Sequence, residues 1–160
     1  LARPGVASQA VGLAQGAIEL ALVYATQRRQ FGQSIASFQM IQQMLADMSM
    51  RTEAARQLVY AAGNALEAGD PSGNKLAAMC KCFATDTAME VTTNAVQILG
   101  GYGYMREYIV ERLYRDNRIL SIGGGTKNEN GVVADFVEGR SLADWMVDPG
   151  ISPVTGLPSG

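Results

Sequence analysis

Apolar residues recur at three- and four-residue steps along most of the chain, the period that turns one face of an α-helix toward a core. Over residues 4–29 the stripe is Ala10, Leu13, Ala14, Ala17, Leu20, Ala21 and Tyr24. Its alanines, with Gly12 and Gly16, predict a slim helix that lies close against a neighbour. Arg28 and Arg29 fall in its last turn, where cations complement the helix dipole, and Gly32 stops it. A second helix is predicted from Ser37, as N-cap, to residue 68. Phe38, Ile41, Leu45, Met48, Ala55, Val59, Ala62 and Leu66 form its inner stripe, and at 1.5 Å per residue it spans about 45 Å. Gly69-Asp70-Pro71 marks a boundary: Gly69 closes one helix, Asp70 caps the next and Pro71 sits in its first turn.

The third helix carries Leu76, Met79, Cys80, Phe83, Thr87, Val91 and Ile98 on one side. Thr126-Lys127-Asn128-Glu129 reads as a capping box opening a final helix, with Val132, Val133, Phe136 and Val137 on its inner face. A short amphipathic piece follows at residues 142–146, and the tail 148–160, rich in proline and glycine, is expected to be irregular. No internal repeat and no convincing strand is visible. Four long helices joined by tight turns predict an all-α fold, an antiparallel up-and-down four-helix bundle occupying residues 1–147.

Composition narrows the functional classes. At 160 residues, 48% hydrophobic and 18% charged, the chain is globular and sized for one domain. A net charge of −2 without a Lys/Arg cluster argues against nucleic acid or an anionic membrane surface as partner. No apolar run is read as approaching the roughly 18–20 residues of a membrane span, and no signal-peptide pattern opens the sequence, so a soluble protein is expected. Histidine is absent, which excludes a Ser-His-Asp triad, a Cys-His pair and any histidine metal site from this chain. Cys80 and Cys82 point to different helix faces, so they are expected as reduced thiols in a reducing compartment, the cytoplasm or the mitochondrial matrix. The eight methionines fall mostly on helical stripes and read as core filling.

Between Asn94 and Thr126 the pattern changes. A helical run ends at Gly100 and Gly101, a charged segment carries Arg106, Glu107, Glu111, Arg112, Arg115 and Asp116, and a second glycine turn, Gly123-Gly124-Gly125, leads to Thr126. Glycines permit reversals and close backbone approach, and bare amides at such turns suit a phosphate or carbonyl oxygen. The plainer reading makes them helix caps and connectors. The charged cluster reads as salt bridges anchoring the glycine loop or a subunit contact rather than as catalytic carboxylates.

Several motifs, in order and with fitting separations, resemble the acyl-CoA dehydrogenase family. They are Arg28-Arg29-Gln30-Phe31-Gly32; Phe38-Gln39-Met40-Ile41-Gln42 with Leu45-Ala46-Asp47-Met48; Ala95-Val96-Gln97-Ile98-Leu99-Gly100-Gly101; and Val110-Glu111-Arg112 with Arg115-Asp116. The resemblance covers nearly the whole chain and is to the family's C-terminal helical domain. Full members also carry an N-terminal helical domain and a middle β-domain, neither of which is in these residues.

The resemblance implies an FAD-dependent oxidoreductase acting on an acyl-CoA thioester. It is expected to form a homodimer or dimer of dimers, with an electron-transfer flavoprotein as redox partner. Arg28, Gln30 and Phe31 match positions that hold the pyrophosphate and adenosine part of an FAD bound mainly to a neighbouring subunit, with Phe38 and Gln39 on the same surface. Gln97, Ile98, Leu99, Gly100 and Gly101 match the segment that meets this FAD across the dimer. Thr126 and Asn128 match positions flanking the flavin, while Arg3, Gly123, Gly124 and Gly125 match the acyl-binding side.

The sequence departs from the family where the chemistry lies. Desaturation needs a carboxylate to take the α-proton while a hydride leaves the β-carbon for the flavin. Most members place that glutamate in a Tyr-Glu-Gly-Thr turn, which aligns with Gly123-Gly124-Gly125-Thr126, so Gly124 stands at the base position. A minority carry it on the first helix just before an arginine, which aligns with Ala2 ahead of Arg3. Neither position holds a carboxylate. Gly131 and Phe136 stand where arginines are common, and Lys127-Asn128 replaces the usual small-polar and Gln/Glu pair. Three readings stay open: a dehydrogenase whose base comes from elsewhere, a non-catalytic subunit that completes a partner's flavin site, and a flavin oxygenase on the same scaffold.

Overall fold

The structure is a computed structural model and describes residues 2–123. Its four helices are α1 (Ala2–Gln27), α2 (Gln39–Glu67), α3 (Gly73–Leu99) and α4 (Val110–Ile122). The fold is an all-α antiparallel four-helix bundle, the class predicted, with α4 as its fourth helix rather than the one expected from Thr126. α3 is the central strut and packs against each of the other three. Its buried residues surround much of its circumference, and most of them are small, among them Ala77, Ala78, Ala84, Ala88, Thr85, Thr92 and Ala95. Small side chains let three helices approach one helix from different sides. The threonines remain compatible because their hydroxyls donate back one turn, Thr85 to the Lys81 carbonyl at 2.9 Å and Thr92 to that of Ala88 at 2.7 Å.

α1 contributes the matching surface. Ala7, Ala10, Ala14, Ala17, Ala21 and Ala25 are fully or almost fully buried, and Leu20 faces outward instead. The closeness predicted for this helix is real, but Gly12 plays no part in it, since a side chain there would meet nothing. Gly16 does, lying under Leu113 of α4. Residues 3–27 also form a helix long and apolar enough to cross a membrane by length and composition, contrary to the expectation that no run approaches that limit. In the bundle its alanine face is core, and Gln15 ties it to Arg56 of α2 at 3.0 Å.

The turns follow from their residues. Gly69, at φ 66°, donates to the Leu66 carbonyl at 3.2 Å, while Asp70 N–H donates to that of Ala65 at 2.9 Å. This pair closes α2 by the Schellman pattern. The Asp70 carboxylate accepts from Ser72 N–H at 2.7 Å, so it shapes the turn ahead of α3. Ser37 is not the cap of α2: it lies in a short 3-10 turn, Ile35–Ser37, and Phe38 is the N-cap residue. Phe38 makes no side-chain cap bond; Ser34 instead caps the 3-10 turn, accepting from Ala36 N–H at 3.2 Å and donating to the Ala25 carbonyl at 2.8 Å.

Other expectations are corrected. A minimal antiparallel hairpin pairs β1 (Arg29–Gln30) with β2 (Gln33–Ser34) around Phe31-Gly32, both at positive φ. Strands of two residues are too short to show an alternating pattern. The charged segment, for which no helix is expected from the sequence, is from Val110 the helix α4. Methionine is not uniformly core: Met48 is buried, while Met40 and Met50 are exposed. The predicted helix from Thr126, the piece at 142–146 and the tail 148–160 lie outside the described residues.

Candidate functional site

The end of α1, the hairpin and the glycine turn after α3 meet at one corner of the bundle. Arg28 follows the end of α1; its N–H donates to the Tyr24 carbonyl at 2.8 Å, and Ile35 N–H donates to the Arg28 carbonyl at 2.9 Å. The hairpin is thereby folded back onto the helix. Arg29 is used internally, its guanidinium donating to the Gly32 carbonyl at 3.0 Å. Arg28 pairs with no carboxylate among the described residues. Its guanidinium carbon instead lies 5.7 Å from the ring centre of Tyr102, within cation–π range.

Tyr102 belongs to a cluster. Its ring centre is 5.2 Å from that of Tyr108 and 6.2 Å from that of Tyr24, and Tyr24 and Tyr108 meet edge-on at 6.5 Å. Burial pushes the Tyr24 phenol above its usual range, Arg28 partly offsetting the effect. At the hairpin tip Phe31 is 93% exposed and touches Phe38 edge-on, ring centres 6.4 Å apart. An aromatic ring so exposed, on a residue at φ 52°, is held out by the turn rather than by packing.

The paired glycines divide the work. Gly100 adopts φ 60°, ψ −134°, a conformation costly for any residue with a side chain, and so ends α3. The chain continues as a 3-10 turn, Gly100–Tyr104, and Gly103 presses onto α3 so closely that a Cβ there would sit 2.5 Å from the Val96 carbonyl oxygen. At Gly101 a Cβ would meet nothing and φ is not positive. Among the described residues nothing requires glycine at this position.

Of the expected cofactor residues, Arg28 and the glycine turn are brought together through Tyr102, and Phe31 with Phe38 through their rings. Gln30, Gln39 and Gln97 are exposed. Ile98 and Leu99 belong to the core, so their side chains face inward and the backbone is what they can present. Tyr24 is read from the sequence only as part of the α1 stripe, and Tyr102 and Tyr108 are not singled out there. The i, i+4 spacing of Tyr24 and Arg28 on one helix was the available signal.

The expected acyl-side residues lie elsewhere. Arg3 lies in the first turn of α1 and Arg28 follows its end, so the helix sets the two about 38 Å apart. Gly123 closes α4, its N–H donating to the Ile119 carbonyl at 2.8 Å. Buried Lys81 donates to the carbonyl of Ser121 at 3.0 Å. Desolvation lowers its pKa, and Arg3 acts on it in the same direction. Arg3 and the end of α4 thus share an end of the bundle. Gly124, Gly125, Thr126 and Asn128 are outside the described residues.

The C-terminal domain of the acyl-CoA dehydrogenases matches residues 1–130. The chain belongs to the acyl-CoA dehydrogenase family. It is 53% identical over 131 residues to a Mycobacterium leprae protein named "Probable acyl-CoA dehydrogenase fadE25", covering 82% of this chain and 34% of that one. It is 49% identical over 124 residues to the caffeyl-CoA reductase-Etf complex subunit CarC of Acetobacterium woodii, covering 78% of this chain and 32% of that one. Butyryl-CoA dehydrogenase from Megasphaera elsdenii has the same fold, with a TM-score of 0.75 and 51% identity over 78% of this chain and 32% of that one. The chain therefore spans about one third of the length of these relatives. In this family's C-terminal domain, the corner described above and the Arg3–Gly123 end are two separate places on one bundle.

Proposed function

We propose that this chain is the C-terminal domain of an FAD-dependent oxidoreductase of acyl-CoA thioesters, and that it serves two flavin sites. The corner at Arg28 and Gly101 contacts a dinucleotide carried by a neighbouring subunit, and the end at Arg3 and Gly123 faces the acyl group in its own. The observation that carries the reading is Arg28, which has no carboxylate partner among the described residues, beside a glycine the fold does not require.

The residues suit the group. A guanidinium offers paired N–H donors to pyrophosphate oxygens, the open space at Gly101 allows backbone approach, and exposed Phe31 offers a ring face. When bound, the flavin supplies the hydride acceptor for oxidation at the acyl β-carbon. The chain's part is to seat the anionic end of the cofactor and to shape the acyl side. With Gly at 124 and Ala at 2, the α-proton must go to a group elsewhere in the whole protein.

Those two positions also favour a second reading, a non-catalytic partner subunit that completes a flavin site while its own acyl pocket is idle. A flavin oxygenase needs no α-proton base and is a third. The assembly is a homodimer or a dimer of dimers in the first reading. An electron-transfer flavoprotein is its electron acceptor, a partner class suggested by the name of the Acetobacterium woodii relative. A reducing compartment, cytoplasm or mitochondrial matrix, suits Cys80 and Cys82, which form no disulfide among the described residues.

The test is flavin absorbance of the whole protein on addition of an acyl-CoA panel. Bleaching by at least one acyl-CoA is expected for a dehydrogenase. A bound flavin that no acyl-CoA bleaches would favour the idle subunit or the oxygenase, and these separate by NAD(P)H-dependent oxygen uptake. Gly124→Glu, which restores the usual carboxylate, is expected to speed bleaching by straight-chain acyl-CoA at least tenfold, the lower range of general-base effects. No gain would mean the pocket is closed to substrate.

A further inference from the structure

We infer that Tyr102 is a positioning residue for Arg28: it holds the guanidinium in place for the phosphate oxygens of the dinucleotide, and Tyr24 and Tyr108 hold Tyr102. The inference rests on the cofactor contact proposed above and goes beyond it, because it names what orients the arginine.

An exposed arginine after a helix end is a poor anion receptor by itself. Its side chain carries about 2 kcal/mol of rotamer freedom, which is lost when it grips a ligand. A contact that restricts it beforehand reduces that cost. Adjacent Arg29 is restrained by the hairpin carbonyl of Gly32, so it cannot serve both the turn and an outside anion without opening that bond. Arg28 has a restraint that leaves hydrogen-bonding capacity for a ligand. A ring face attracts the cation electrostatically and uses none of its N–H groups, whereas a carboxylate would take two and neutralise the charge.

The ring needs support of its own. Tyr102 follows Gly101 in a turn, where a side chain standing alone would be mobile. It is instead wedged between Tyr24, one helical turn before Arg28, and Tyr108, just before α4. The contacts run from α1 through Tyr24 to Tyr102 and from the α3–α4 connection through Tyr108 to the same ring. Arg28 therefore sits at a fixed offset from the Gly100–Gly101 backbone. A pyrophosphate that uses both the guanidinium and the glycine amides requires such a fixed offset.

The experiment measures FAD affinity of the whole protein by flavin fluorescence on titration of the flavin-free form, with thermal unfolding midpoints recorded for every variant. Arg28→Gln is expected to weaken FAD binding. Tyr102→Leu is expected to weaken it about three- to tenfold, the span of a partly exposed cation–π contact. Tyr102→Phe keeps the ring and should stay within about twofold. In the Arg28→Gln background, Tyr102→Leu should add nothing. If Tyr102→Leu does not fold, Tyr102→Met, unbranched and flexible, replaces it in the same cycle.

Wild-type affinity in Tyr102→Leu, beside a weakened Arg28→Gln, would overturn the positioning role and leave the cofactor contact standing. An equal loss from Tyr102→Leu with or without Arg28 would overturn it too, since the ring would then act directly on the ligand or on the fold. No loss in Arg28→Gln would overturn the cofactor contact itself, and the positioning role with it.

Discussion

At the scale of single residues, the glycines of one short turn do different things. Gly100 is required by its backbone dihedrals, Gly103 by the backbone of Val96 beneath it, and Gly101 by nothing among the described residues. Gly103→Ala is expected to cost about 2 kcal/mol or more in chemical unfolding, because the atoms it would strike are main chain and cannot rotate away. Gly101→Ala should leave stability within about 0.5 kcal/mol and yet weaken FAD binding in the whole protein, if a ligand's backbone contact lies there. Equal and large stability losses at both positions would remove the reason for treating Gly101 as an open place. From the sequence these glycines are alike, since repetition signals a turn without telling which member bends, which packs and which faces outward.

At the scale of elements, α1, α2 and α3 were legible from their stripes, and α4 was not. The inward positions of α4 are Val110, Leu113, Asn117 and Leu120, a narrow row broken by a fully buried asparagine, while Ile119 and Ile122 point outward. Apolar periodicity is therefore weak just where charges are dense. The charges carried the missed signal: Arg112 meets Asp116 at 3.2 Å and Arg115 meets Glu111 at 3.4 Å, both four residues apart, as on one helix face. α4 is held at its far end by Lys81, whose buried ammonium group donates to the Ser121 carbonyl. Lys81→Met keeps most of the side chain's bulk and removes that bond. Amide exchange at residues 119–123 should then quicken about fivefold, equivalent to about 1 kcal/mol of local opening, with α2 unaffected. Unchanged exchange there would show that the end of α4 is set by packing alone. The point matters because Gly123, on the proposed acyl side, hangs from this end.

At the scale of the whole molecule, small residues packed around one central helix tie global stability to groups that must remain neutral. Cys80 lies on α3 with no exposed surface, and burial pushes its thiol up to about 11 from an ordinary 9.0. Its folded value is raised, so between these two pH values the unfolded chain gives up a proton that the folded chain keeps. Stability from this thiol is complete below pH 9 and is lost as pH rises through 11. The loss is at most about 3 kcal/mol, from two pKa units at about 1.4 kcal/mol each. Lys81 and Tyr24 also titrate in alkali, Lys81 in the opposite sense, so the raw stability curve mixes several groups. The difference between wild type and Cys80→Ala isolates one of them. Measured by urea unfolding at several pH values, the wild-type advantage over Cys80→Ala should shrink between pH 9 and 11 and stay level below pH 8. A constant difference across the range would mean that the thiol is hydrated in the folded state. That result would contradict the tight packing of α3 on which the placement of both the Arg28 corner and the Gly123 end depends.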